Sequence, residues 1–162
     1  MNKFGVSVLT HFSDFGLMGY DSNMPRIARS YILGGDAYHV ICRGNNREQI
    51  FRSDDDFLFF LNIVRKVKIN HHFLLYHYVL MTNHIHFVLR PSDPELLAKI
   101  MQSINLRYSI YYKNKYNRIG HLWQDRYISL VIKDDSYLST CGIYIELNPV
   151  RAGIVKAPEE YS

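Results

Sequence analysis

Two hydrophobic periods alternate along the chain from residue 37 onward. Ala37–Arg43 (AYHVICR) is short and rich in β-formers and is closed by Gly44-Asn45-Asn46, a turn signal, which predicts a strand. Ser53 can cap a helix, with Asp54, Asp55 and Asp56 placed where a helix N-terminus favours negative charge. Phe57, Phe60, Leu61, Val64 and Val67 then recur at helical spacing and predict an amphipathic helix to about Asn70. Residues 73–80 and 84–89 read as two strands of a hairpin, separated by Met81-Thr82-Asn83. Pro91 and Pro94 close the second strand and open a helix from Glu95 towards Tyr116, with Leu96, Ile100, Ile104 and Ile110 expected on its inner face. Residues 127–132 form a further strand. Asp134 or Asp135 caps a last helix, expected to stop near Asn148 because Pro149 disfavours a helical conformation in the residue before it.

The order β-α-β-β-α-β-α predicts an α+β fold. Its first six elements match the ferredoxin-like split βαβ arrangement, an antiparallel sheet with helices on one face, and the seventh is an added C-terminal helix. Residues 1–23 show no clear period and are expected to be an N-terminal extension outside the core, with Met24 an alternative start. Residues 24–162 are expected to form a single domain.

Composition narrows the class. Of 162 residues 48% are hydrophobic and 21% charged, enough to bury a core. Nineteen Lys+Arg against fifteen Asp+Glu give a net charge of +4, which permits a polyanionic partner. Cys42 and Cys141 are too few for a disulfide scaffold and have no CxxC spacing, which favours a reducing compartment. No apolar run is long enough to span a bilayer, and His11, Asp14 and Asp21 interrupt any signal-peptide core. A cytoplasmic protein without membrane contact is expected.

Two local patterns carry chemistry. His84-Ile85-His86 lies in a predicted strand, where side chains two apart share a face, so both imidazoles can reach one ion while Ile85 turns to the buried side. The competing reading is two polar residues on a solvated face. Tyr144 and Asn148 are one helical turn apart, so a phenol and a carboxamide would be presented together. Alternatively, Tyr144 belongs to an amphipathic stripe with Leu138, Cys141 and Ile145. Together the patterns could bring two imidazoles, an amide oxygen and a nucleophilic oxygen to one divalent ion. A phenol ionises at about pH 10, so it attacks poorly at neutral pH unless a cation assists.

The stretches MTNHIHFVLRP, AYHVICRGNNREQIF, RIGHLWQDRY and YIELNPVRAGIV resemble the HUH single-tyrosine transposases, the IS200-like group, and most closely the REP-associated tyrosine transposases of bacterial chromosomes. The resemblance covers residues 24–162, with the motifs in the family's order. It implies a single-stranded DNA endonuclease and transesterase that nicks beside a small hairpin through a 5′-phosphotyrosine, with Mg²⁺ or Mn²⁺. It further implies that Tyr144 is the nucleophile, that His84 and His86 bind the metal, and that Asn148 is the third ligand, a position held by Gln in related insertion-sequence enzymes. Family members usually continue beyond the point matching Glu160-Tyr161-Ser162 and lack the 23-residue lead, which implies a C-terminus that stops short. The resemblance leaves monomer and homodimer both open.

A nucleic-acid surface is suggested between Lys99 and Lys133, where seven basic residues accompany one acid, Asp125. Tyr108, Tyr111, Tyr112, Tyr116, Trp123 and Tyr127 are interleaved with them, as single-strand binding requires. Candidate DNA contacts there are Arg107, Lys113, Lys115, Arg118, His121, Trp123, Gln124 and Arg126. Arg43, Asn45, Asn46 and Arg47 form a second group on a donor-rich turn, and Arg26 and Arg29 could act as a basic arm. Tyr108, Tyr111 and Tyr112 lack a ligand-type neighbour one turn away and are read as packing or DNA-facing residues. His39, His71, His72 and His77 are expected to be structural or exposed. The rival functions are a non-catalytic binder of structured nucleic acid on the same fold and a metal-dependent hydrolase that uses water.

Overall fold

The computed structural model describes residues 36–161. The N-terminal extension expected over residues 1–23, and with it Arg26 and Arg29, lies outside them. Four strands, β1 (Ala37–Arg43), β2 (Phe73–Met81), β3 (His84–Pro91) and β4 (Ile128–Ile132), form one antiparallel sheet in the order β2-β3-β1-β4. Helices α1 (Asp54–His71) and α2 (Leu96–Tyr116) come after β1 and β3, which completes the expected split βαβ arrangement. Then come α3 (Asp135–Glu146) and a short α4 (Asn148–Arg151).

Alternation along the strands divides the interior in two. Tyr38, Val40 and Cys42 of β1 and Ile85, Phe87 and Leu89 of β3 point to one face, where α1 and α2 cover them with Phe60, Val64, Val67, Ile100, Ile104, Tyr108 and Tyr112. The opposite face carries Ala37, Val79, Met81, Val88 and Ile132, covered by Cys141 and Ile145 of α3. The added helix therefore packs on the side of the sheet that α1 and α2 leave open.

The inner face of α2 differs from expectation at one position. Ile110 is 53% exposed, and the buried row runs through Leu97, Ile100, Met101, Ile104, Tyr108 and Tyr112. Six residues beyond Ile104 a helix has turned through about 600°, so Ile110 cannot share its face, whereas Tyr108 and Tyr112 at steps of four can. These two tyrosines are core. Their hydroxyls donate to the backbone carbonyls of Ile50 and Gln49, at 2.5 and 2.7 Å.

The α1 start is built round one carboxylate. Asp56 accepts from the backbone N–H groups of Arg52 and Ser53 (2.8 and 3.1 Å), from the hydroxyls of Tyr111 and Tyr116 (2.9 and 2.7 Å) and from Lys115 Nζ (2.7 Å). Burial alone would raise its pKa; the donors, Lys115 and Tyr116 foremost, outweigh that and hold it down to about 2.

Candidate active site

The open end of the sheet's second face brings the predicted chemistry together. His84 and His86 stand on the same face of β3, with ring centroids 5.1 Å apart, and Ile85 is fully buried on the other side. His86 is only 5% exposed, which removes the reading of a solvated pair. Tyr144 comes down from α3 with its ring centroid 6.2 Å from that of His86, at 74°. Asn148 lies one turn further on, at the start of α4, and its amide nitrogen donates to the carbonyl oxygen of Tyr144 at 3.0 Å. Its carboxamide oxygen is the atom left for an outside partner.

Local sequence explains how α3 reaches the site. Asp134 caps the helix by accepting from the backbone N–H of Tyr137 at 2.7 Å. Gly142 lets α3 lie directly on β2, since a Cβ there would meet the His77 ring at 2.6 Å. His77 Nδ1 and Glu146 Oε1, 3.1 Å apart, fasten the same contact. α3 ends at Glu146, close to the stop expected near Asn148, and a separate helical turn follows. Pro149 takes a position in the first turn of α4, where its missing N–H costs nothing, and the helical path continues to Arg151. That continuation sets the Arg151 guanidinium carbon 4.9 Å from the centre of the Tyr144 ring.

A third imidazole joins the group. His39 lies two positions from Ile41 on β1, and its Nε2 is 2.9 Å from His86 Nδ1, with the rings stacked at 5.2 Å. The register pairs Ile41 with His86 and His39 with Val88, so the two histidines are diagonal neighbours across β1 and β3. The edge of His39 also faces Tyr144, with centroids 6.1 Å apart. Burial lowers the pKa of His39 to about 4 and that of His84 to about 4, the Arg43 charge adding to the second. Burial, then the neighbouring histidines and Arg43, holds His86 well below the ordinary imidazole value. At neutral pH all three rings are uncharged and each keeps a lone pair.

Among the described residues no three His, Cys, Asp or Glu side chains are grouped to hold a metal ion. The set predicted from the sequence contains two imidazoles and an amide, and its chemistry suits a cation. Asn83 Oδ1 can only accept, so the 2.6 Å contact with His84 Nδ1 puts the ring proton there and leaves Nε2 free as a donor to a metal.

Part of the predicted nucleic-acid surface borders this site. Gly44 N–H donates to Asn83 O, Asn45 N–H to Leu122 O and Gln124 N–H to Arg43 O, at 2.8, 2.8 and 2.9 Å. These bonds tie the turn after β1 to the β2–β3 turn and to the α2–β4 connection. Gly44 is required there, because a Cβ would come within 2.5 Å of Glu48 O. Asn45, Asn46, Arg47 and Gln124 line an open depression, with Asn46 and Arg47 both in the left-handed region (φ 52° and 57°). Arg43, opposite His84 in the sheet register, is exposed.

Other predicted contacts are otherwise engaged. Lys115 is bound to Asp56, and Arg118 is paired with Glu48. The Trp123 indole donates to Asn105 O at 3.1 Å and its ring packs near Tyr108, while Arg107, Lys113, His121 and Arg126 are exposed. Sequence reasoning took His39 as structural or exposed and passed over Asn83 and Arg151 as site residues. The spacing from Tyr144 to Arg151, two helical turns, is a signal for the last; only the β1–β3 register reveals the first.

Known proteins point the same way. Curated proteins include none that matches the chain. Among solved structures, the fold is similar to that of a REP-associated tyrosine transposase bound to a REP hairpin, with a TM-score of 0.65 and 22% identity over 82% of this chain and 77% of that one. It is also similar to a protein of Deinococcus radiodurans R1 provisionally described as a transposase, with a TM-score of 0.50 and 17% identity over 75% of this chain and 96% of the other. The family model for IS200-like transposases matches residues 35–148, a span that starts just before β1 and ends at Asn148. By that match, which takes in the whole sheet and the helix that carries Tyr144, the chain belongs to the IS200-like transposase family.

Proposed function

We propose that the protein is a single-stranded DNA endonuclease and transesterase that binds hairpin DNA and cuts beside it through a covalent phosphotyrosine. The observation that carries this reading is the approach of the Tyr144 ring on α3 to the His86 ring on β3, 6.2 Å between centroids. The fold shared with a transposase that holds a REP hairpin supports the choice of DNA partner.

In this reading the Tyr144 oxygen attacks the scissile phosphorus. A new P–O bond forms, the P–O3′ bond breaks, and the phenolic proton passes through solvent to the leaving 3′-oxygen. The products are a 5′-phosphotyrosine and a free 3′-hydroxyl, and attack by a 3′-hydroxyl on the phosphotyrosine rejoins strands without an outside energy source. His84, His86 and the Asn148 oxygen would hold a divalent cation, Mg²⁺ or Mn²⁺. Bound there, it would polarise the phosphodiester and favour the ionised form of the attacking phenol. Arg151 would add a positive charge beside the nucleophile, where a phosphate would arrive.

Arg43, Asn45, Asn46, Arg47 and Gln124 would receive the DNA next to His84, with exposed Arg107, Lys113, His121 and Arg126 as backbone contacts and Arg26 and Arg29 as an arm. Residues 24–162 would act as one catalytic domain, as monomer or homodimer, in the cytoplasm. No helix of the described residues is long and apolar enough to cross a membrane.

The test is incubation with end-labelled hairpin DNA and Mn²⁺, then denaturing electrophoresis. Label that migrates with the protein, absent in Tyr144→Phe and suppressed by EDTA, is the expected result. Hairpin binding without an adduct at any metal concentration would identify a non-catalytic binder, and cleavage that persists in Tyr144→Phe would assign the attack to water.

A further inference from the structure

We infer that His39 is a positioning residue that fixes the ring proton of His86, so that the nitrogen of His86 facing the site is the one with the lone pair. The inference rests on the reading of His84 and His86 as metal ligands. A bond of 2.9 Å joins His39 Nε2 to His86 Nδ1, and a single proton lies between two nitrogens that close. It can sit in either of two ways. If His39 donates, His86 carries its remaining lone pair on Nδ1, locked into the sheet, and Nε2 bears a proton that excludes a metal. If His86 donates, Nε2 is left bare. Only the second arrangement lets His86 act as a ligand, and it requires neutral His39 to carry its own proton on Nδ1.

His84 offers an independent parallel. Asn83 Oδ1, which has no proton to give, forces the proton of His84 onto Nδ1 at 2.6 Å. The two histidines thus have the same ring nitrogen occupied by a neighbour, a carboxamide oxygen in one case and an imidazole in the other. The His39–His86 contact is enclosed, both residues being 5% exposed, so water does not compete for the bond. The stacking of the rings, with 25° between planes, further restricts how His86 can turn. Outer partners of this kind commonly contribute about 10–100-fold to metal affinity.

Two measurements on the full chain decide the matter. In metal-free wild type, long-range ¹H–¹⁵N correlation spectra are expected to show the His86 proton on Nδ1 and a bare Nε2; a proton on Nε2 would overturn the inference outright. In Mn²⁺ titrations read by electron paramagnetic resonance, His39→Met should weaken binding by about 10–100-fold, and His39→Gln, whose amide can still accept at that place, should restore most of it. Equal Mn²⁺ affinity in wild type and His39→Met would also overturn it, while leaving the metal site itself intact. Failure of the wild type to bind Mn²⁺ at all would instead overturn the ligand assignment, and this inference with it.

Discussion

The guanidinium of Arg151 lies 4.9 Å from the centre of the Tyr144 ring, across the helix junction at Pro149. A guanidinium that rests over this ring stands close enough to meet a phosphate brought to the Tyr144 hydroxyl. Arg151→Ala is expected to slow adduct formation by about 100-fold while leaving hairpin affinity nearly unchanged, and Arg151→Lys to recover part of the loss. Single-turnover rates with labelled hairpin measure this; equal rates in Arg151→Ala and wild type would show the guanidinium to be a bystander.

Gly142 sets the distance of α3 from the sheet. Alanine there would drive a methyl group against the His77 ring, whose nearest atom lies 2.6 Å from the Cβ position. The helix must move outward and take Tyr144 with it, so Gly142→Ala should lower stability by about 1–3 kcal/mol and reduce adduct formation more than hairpin binding. Denaturant unfolding and the adduct assay read the two effects. An unchanged adduct rate would mean that α3 has slack at this contact.

Asp56 predicts a purely structural loss. Five donors converge on its buried carboxylate, and removing it leaves the N–H groups at the α1 start and the hydroxyls of Tyr111 and Tyr116 without their acceptor. Asp56→Ala should cost about 1–3 kcal/mol in denaturant unfolding, from the donors left without an acceptor. Supplying Mn²⁺ should not rescue it, because the residue belongs to the α1–α2 side of the sheet and not to the site.

The buried imidazoles predict a pH dependence. His39 has a folded pKa of about 4 against an ordinary 6.5, so the unfolded chain takes up a proton that the native fold resists. Its contribution is complete above about pH 6.5 and declines as pH falls towards 4. By pH 5, above the range of ordinary carboxylates, His39 alone should remove about 2 kcal/mol from the stability of the protein in EDTA. Urea unfolding at pH 7, 6 and 5 tests this, and a flat midpoint over that range would contradict it.

Much of this molecule could be read from local signals. β1 has the expected bounds because Gly44 and Asn45 end it, and the H-x-H pair shares a face because a strand alternates. The relationships that stayed hidden are those between distant segments. His39 meets His86 only through the β1–β3 register, and Lys115 and Arg118 look like free cations until Asp56 and Glu48 are brought across from the other end of the domain. Arg151 was obscured by Pro149, which reads as a helix end yet starts a further turn. Ile110 shows the hazard of counting apolar residues without tracking the rotation of the helix.

The alternation along β3 couples architecture to chemistry more tightly than burial alone suggests. Ile85, Phe87 and Leu89 fill one core while His84 and His86 serve the opposite side, so a deletion or insertion of one residue in this strand would exchange the two sets. Imidazoles would then be driven into hydrocarbon and aliphatic side chains into the candidate site. An insertion or deletion of odd length within His84–Pro91, unlike one in the Thr82-Asn83 turn, should therefore cost both the fold and the adduct-forming activity.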